Sequence, residues 1–135
     1  MISFCRNFLI AVLVAVGAAA CSDPLSPRDV AGTYVLTSVS GVAVPGQGDC
    51  FNYVSGSITL SAQGAAERRV AYPKQGGGVD EYVSTGTYTL RNGKVDFALD
   101  FDTPAPARII NNTITLSWGC PIDGPEIVEL FVREE

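Results

Sequence analysis

The strongest constraint on the fold is a short pattern that recurs along the chain. Gly32-Thr33-Tyr34-Val35-Leu36-Thr37, Gly56-Ser57-Ile58-Thr59-Leu60-Ser61, Gly86-Thr87-Tyr88-Thr89-Leu90-Arg91 and Asn112-Thr113-Ile114-Thr115-Leu116-Ser117 share one arrangement. Each has an aromatic or β-branched residue at its third place and Leu at its fifth, mostly with hydroxyl residues between. Apolar side chains that alternate with polar ones send one set to each face of an extended chain, which is the signature of a half-buried strand. Turn formers follow most of these segments, at Ser40-Gly41, Gln63-Gly64, Asn92-Gly93 and Trp118-Gly119. Asn92-Gly93 is the clearest hairpin signal, because both residue types tolerate positive φ.

Read in this way, the chain predicts about eight strands, near 32–39, 56–62, 65–72, 80–90, 94–101, 107–111, 112–118 and 126–133. The segment before Gly32 has room for a short 3₁₀ turn. Many short strands joined by tight turns point to a barrel or sandwich. The meander-like order favours an all-β, small antiparallel up-and-down barrel. Its expected inward set is Tyr34, Leu36, Ile58, Leu60, Tyr88, Leu90, Val95, Phe97, Leu99, Phe101, Ile114, Leu116, Trp118, Val128, Leu130 and Val132. These side chains are large, so a mostly packed interior is expected, with at most a shallow pocket at one mouth near Trp118 and the Gly76–Gly78 loop.

The first twenty residues belong to a different class. Arg6 precedes an apolar run from Phe8 to Val16, and Gly17-Ala18-Ala19-Ala20 leads to Cys21. A positive start, a short apolar core and a small-residue site read as an export signal. The run is short of the roughly 20 apolar residues that span a bilayer. Ala18-Ala19-Ala20 suits ordinary signal cleavage, whereas Ala19-Ala20-Cys21 resembles the end of a lipobox, with Ala18 in place of the usual Leu. Cysteine arithmetic favours the second. Cys5 leaves with residues 1–20, and Cys21, Cys50 and Cys120 remain. Lipidation of Cys21 would account for the odd thiol and leave Cys50 and Cys120 to pair. The expected organisation is a signal peptide over 1–20, a lipidated tether over 21–29 with prolines at 24 and 27, and a barrel domain over 30–135. The expected location is the periplasm or outer membrane, attached through the lipid at Cys21, with secretion as the alternative.

Here the residues reach a family. The segment from Val30 to Pro45, opening Val30-Ala31-Gly32-Thr33-Tyr34-Val35-Leu36, resembles the first strand of the small lipocalin-like domains carried by bacterial lipoproteins. Gly86-Thr87-Tyr88-Thr89-Leu90 and Asn112-Thr113-Ile114-Thr115-Leu116 are similar to their later strands. The resemblance extends over nearly all of 28–133. It implies an antiparallel calyx-type barrel and carries no catalytic residues with it.

Chemistry is sparse in the sequence. Histidine is absent, which removes Ser-His-Asp and Cys-His catalysis and the commonest transition-metal ligand. No nucleophile elbow, P-loop or Cys-x-x-Cys is present. No catalytic residue, cofactor or metal is therefore expected. Asp96, Asp100 and Asp102 read as a solvated outer strand face rather than calcium ligands. Nine basic against fourteen acidic residues give a net charge of −5, which argues against nucleic acid. Arg68 and Arg69 are adjacent in a predicted strand, so one of them must lean inward, either at the rim or toward an anionic ligand. Trp118, Tyr34, Tyr72, Tyr82 and Tyr88, with Arg68, are the candidate ligand-contacting residues. The expected function is that of a monomeric, non-catalytic envelope binding module for a small apolar molecule or envelope component. The alternative is a protein-interaction module such as a periplasmic protease inhibitor or assembly factor.

Overall fold

A computed structural model describes residues 25–100, 106–120 and 124–135. Residues 1–20, expected to be a signal peptide, together with Cys21, Phe101 and Asp102, lie outside the described residues. After one helical turn, α1 (Pro27–Val30), the chain is built of strands: β1 (Gly32–Val39), β2 (Val42–Ala43), β3 (Gly46–Gln47), β4 (Asn52–Tyr53), β5 (Ser55–Leu60), β6 (Ala65–Pro73), β7 (Val79–Arg91), β8 (Lys94–Leu99), β9 (Ala107–Ile110), β10 (Thr113–Trp118) and β11 (Ile127–Arg133). The turn at α1 has a reciprocal cap. Asp29 Oδ2 accepts from both the backbone N–H and the hydroxyl of Ser26, at 2.8 and 2.9 Å, so donors left open at a helix start are satisfied.

Eight strands form a closed antiparallel barrel. β5 to β11 follow one another as neighbours, and β1 joins β5 on one side and β11 on the other, so the sheet has no open end at β11. β2 hangs from the end of β1, and β3 pairs only with β4. The Asn92-Gly93 hairpin forms as expected, with φ of +51° and +76°. Gly86 is needed for a different reason. A Cβ there would run into the Ala98 carbonyl oxygen on β8, so only glycine lets β7 and β8 approach at this bend.

The inward positions expected on β1, β5, β7, β8 and β10 are buried or half-buried, with Tyr34, Ile58, Leu60, Tyr88, Val95, Ile114 and Leu116 in the sealed core. Ala107 and Ile109 on β9 join them. β1 bulges between Leu36 and Ser38, which brings Val39 rather than Ser38 into full burial.

β11 reverses the sequence expectation. Ile127, Glu129 and Phe131 face inward, while Val128 and Leu130 are half-buried and Val132 is 39% exposed. The ladder forces this parity. Ile114 stands opposite Phe131 and Leu116 opposite Glu129, and directly paired residues of antiparallel strands share a face. β11 is apolar on either reading, so hydrophobic alternation alone does not choose between them.

The two ends of the barrel differ. At one end α1 closes the opening, with Val30 buried, the Tyr34 hydroxyl donating to the Val30 carbonyl at 2.7 Å and the Tyr88 hydroxyl to the Ser61 carbonyl at 2.6 Å. Arg133 ties α1 down through the Ala31 and Asp29 carbonyls. At the other end, here called the mouth, the β3–β4 strap crosses over. Cys50 in the strap is disulfide-bonded to Cys120 just after β10, with Cα atoms 5.7 Å apart, as expected from the sequence.

Candidate functional site

Below the strap the barrel holds a charged pair. Arg68 is inward on β6, flanked on the same face by Ala66 and Val70. The outward Arg69 instead joins Glu67 and Glu81 in an exposed trio at 2.5 and 2.7 Å. The Arg68 side chain neither reaches a rim nor waits for an anion. Its Nη2 donates to Glu129 Oε1 at 2.5 Å, and the two residues are 6% and 0% exposed. Each is the reason the other can be there, since a buried charge is tolerated only when paired and hydrogen-bonded.

Three aromatic or polar neighbours complete the cluster. Tyr53, brought in by the strap, donates its hydroxyl to Glu129 Oε1 at 3.1 Å. Burial, and next the Glu129 charge, push the Tyr53 phenol up to about 12. Trp118, at the end of β10, stacks on Arg68, whose guanidinium carbon lies 4.6 Å from the ring centroid, within cation–π range. Ser84 stands opposite Arg68 in the β6–β7 ladder and is fully buried. Three atoms of this cluster, Ser84 Oγ, Trp118 Nε1 and Glu129 Oε2, are buried without a hydrogen-bond partner among the described residues. Beside Arg68, the space bordered by Ile58, Ala66, Phe97, Leu99 and Leu116 is too narrow for a water molecule.

Of the residues singled out from the sequence, the structure therefore brings Trp118 and Arg68 together. Tyr34 and Tyr88 sit at the α1 end, where burial raises both phenols. Tyr82 is half-buried opposite Val70, and Tyr72 is exposed on the part of the β6–β7 hairpin that projects past the mouth. Asp96 pairs loosely with Arg91 and Asp100 accepts from Thr85, both on the outer surface. Glu129, Tyr53 and Ser84 were not anticipated. The inward Arg on β6 was the available signal for an inward acid elsewhere.

The mouth carries a groove of about 190 Å³ against Val42, Asp49, Cys50, Phe51, Glu126 and Ile127. It lies beside the disulfide rather than by the Gly76–Gly78 tip where a pocket was expected. No family model, curated protein or solved structure matches the chain. The fold and site define the class: a small closed antiparallel β-barrel, disulfide-braced at its mouth, with a buried ion pair beneath.

Proposed function

We propose that the chain is a lipid-anchored, non-catalytic binding module of the bacterial cell envelope, lipocalin-like in design, that holds an envelope component at its strapped mouth. The observation that carries this reading is the Arg68–Glu129 pair. It occupies the barrel where a carrier of apolar molecules needs an apolar hollow, which turns the reading from an apolar ligand toward a polar one. The Cys50–Cys120 bond supports an oxidising, extracytoplasmic setting. It also leaves Cys21 as the odd thiol of the exported chain, available for the acyl anchor. A protein partner is the second reading, favoured by the mouth groove and by the projecting hairpin with exposed Tyr72 and Val79.

Two cell experiments test the proposal. Labelled palmitate enters the wild-type chain and not Cys21→Ser; equal labelling of the two removes the anchor. A photo-crosslinking residue at Phe51 captures an envelope component, whereas one at Ile110, at the α1 end, does not. Capture from Ile110 alone would place binding elsewhere.

A further inference from the structure

We propose that the outer wall of β7, β8 and β9 at the α1 end is a docking surface for an anionic membrane, gripped by a row of three cations. The proposal rests on the lipid-anchor reading and deepens it, by naming the face that the anchored barrel turns to the bilayer.

The row is fixed by the ladder. Arg91 stands directly opposite Lys94 across β7 and β8, and Lys94 directly opposite Arg108 across β8 and β9. All three are exposed and alternate with inward neighbours, Leu90, Val95 and Ile109, so they share the outer face. Like charges directly opposite one another destabilise a sheet. Other outer positions pair hydroxyls, as in Thr33 with Thr59 at 3.3 Å, or opposite charges, as in Arg69 with Glu67 and Glu81. In the row Arg91 has one acid, Asp96, at 3.5 Å. Among the described residues Lys94 and Arg108 form no ion pair. A hollow of about 270 Å³ lies against them, bordered also by Asn92, Gly93 and Ile110. Phosphate groups brought to this wall would relieve the repulsion, since each offers several acceptor oxygens to Lys and Arg.

Position favours a membrane over a dissolved anion. Leu25, the first described residue, is four residues past Cys21, and four residues reach at most about 14 Å. The chain enters the fold over β7. There the Pro27 carbonyl lies 3.4 Å from the Tyr88 hydroxyl, and Tyr88 is three residues before Arg91. An acyl group at Cys21 therefore keeps this end of the barrel close to the headgroups. Charge elsewhere selects the wall. The Glu134 N–H donates to the Thr33 carbonyl at 2.8 Å, so the C-terminal acids lie beside β1, across the barrel from β8. Asp29 is spent on Ser26. The mouth and its projecting hairpin carry Asp49, Asp80, Glu81 and Glu126 against Lys74. An anionic surface repels those faces and attracts the β7–β9 wall, leaving the mouth free for the component it holds. Each cation near such a surface is worth about fivefold, so the row favours this face by about a hundredfold.

The test uses the oxidised chain from Cys21 to Glu135, coupled through the Cys21 thiol to a maleimide lipid in nanodiscs. Coupling does not depend on acylation in cells. The discs hold either phosphatidylcholine alone or phosphatidylcholine with phosphatidylglycerol, each with a trace of gadolinium-bearing lipid, and amide NMR spectra report which residues approach the surface. In anionic discs the amides of Gly93, Lys94 and Arg108 should broaden several-fold more than that of Thr33, at the same end on the opposite wall. In neutral discs the two walls should broaden alike. The triple variant Arg91→Gln, Lys94→Gln, Arg108→Gln, altered only on the surface, should lose the difference, as should the wild type in high salt. Even broadening in anionic discs, the same unevenness in neutral discs, or broadening strongest at Phe51 overturns the proposal. Inorganic phosphate that shifts Lys94 and Arg108 of the uncoupled chain as strongly as phosphatidylglycerol, at equal phosphate concentration, makes the row a free-anion site and also overturns it. Palmitate entering Cys21 in cells alongside even broadening would sink this surface while sparing the anchor; uneven broadening without palmitate would sink the anchor and keep the surface.

Discussion

Replacing Glu129 by Gln tests the buried pair while keeping its shape. The substitution removes the negative charge facing the Arg68 guanidinium at 2.5 Å, inside a barrel where Arg68 is only 6% exposed. The amide oxygen can still accept from Arg68 and Tyr53, so the loss is chiefly that of charge compensation. Removing one partner of a buried pair costs about 3–5 kcal/mol, and the retained acceptor places Glu129→Gln at the low end, about 3 kcal/mol. Single domains have only about 5–15 kcal/mol in total, so the variant should be visibly fragile. Urea unfolding followed by circular dichroism and linear extrapolation measures the difference. The double variant Arg68→Met, Glu129→Leu provides the contrast. It removes both charges and fills similar volume, so it should lie within about 1 kcal/mol of wild type or above it. A Glu129→Gln cost below about 0.5 kcal/mol, the range of ordinary surface changes, would show that the carboxylate does not compensate Arg68. A double variant as weak as the sum of its parts would refute the pairing itself.

Three further outcomes follow. Tyr53 has its phenol raised to about 12, first by burial and then by Glu129, so its folded state favours the neutral form. The stability this contributes is complete below pH 10, the ordinary phenol value, and is lost as pH rises through about 12; unfolding midpoints measured from pH 9 to 12 should fall less steeply in Tyr53→Phe than in wild type. Reduction of Cys50–Cys120, which encloses a sequence separation of 70 residues, should cost about 4 kcal/mol on the chain-entropy model, and a denaturation midpoint unchanged by dithiothreitol would contradict it. Gly86→Ala should cost about 1–3 kcal/mol because its Cβ meets the Ala98 carbonyl, whereas Gly119→Ala, with open space around it, should be near neutral in the same thermal scan.

The barrel was legible in the sequence because its strands carry local signals. Tyr34/Leu36, Ile58/Leu60 and Ile114/Leu116 alternate with hydroxyl residues, and Asn92-Gly93 fixes a turn, so each strand can be read alone. β11 could not be read alone. Ile127-Val128-Glu129-Leu130-Phe131-Val132 is apolar on both faces, and a single Glu normally faces water. What turned it inward was Arg68 on β6, 61 residues earlier in the chain. A buried pair is a long-range fact, and neither partner's own strand announces it. The same holds for Tyr53, which reaches Glu129 only because the strap crosses the mouth and is tied at Cys50–Cys120. The candidate site was thus half visible, through Trp118 and Arg68, while its acid, its strap tyrosine and its serine emerged from barrel closure.

The central claim is that the barrel interior is packed, with a buried ion pair in an otherwise apolar core, rather than an apolar hollow. Titration of the intact oxidised protein with palmitate, followed by Trp118 emission, tests it most directly. With Trp118 packed on Arg68 over a space too narrow for water, the emission should remain unchanged and no one-to-one complex should form. A saturable change in emission with stoichiometric uptake of the acyl chain would show an apolar cavity and contradict the account.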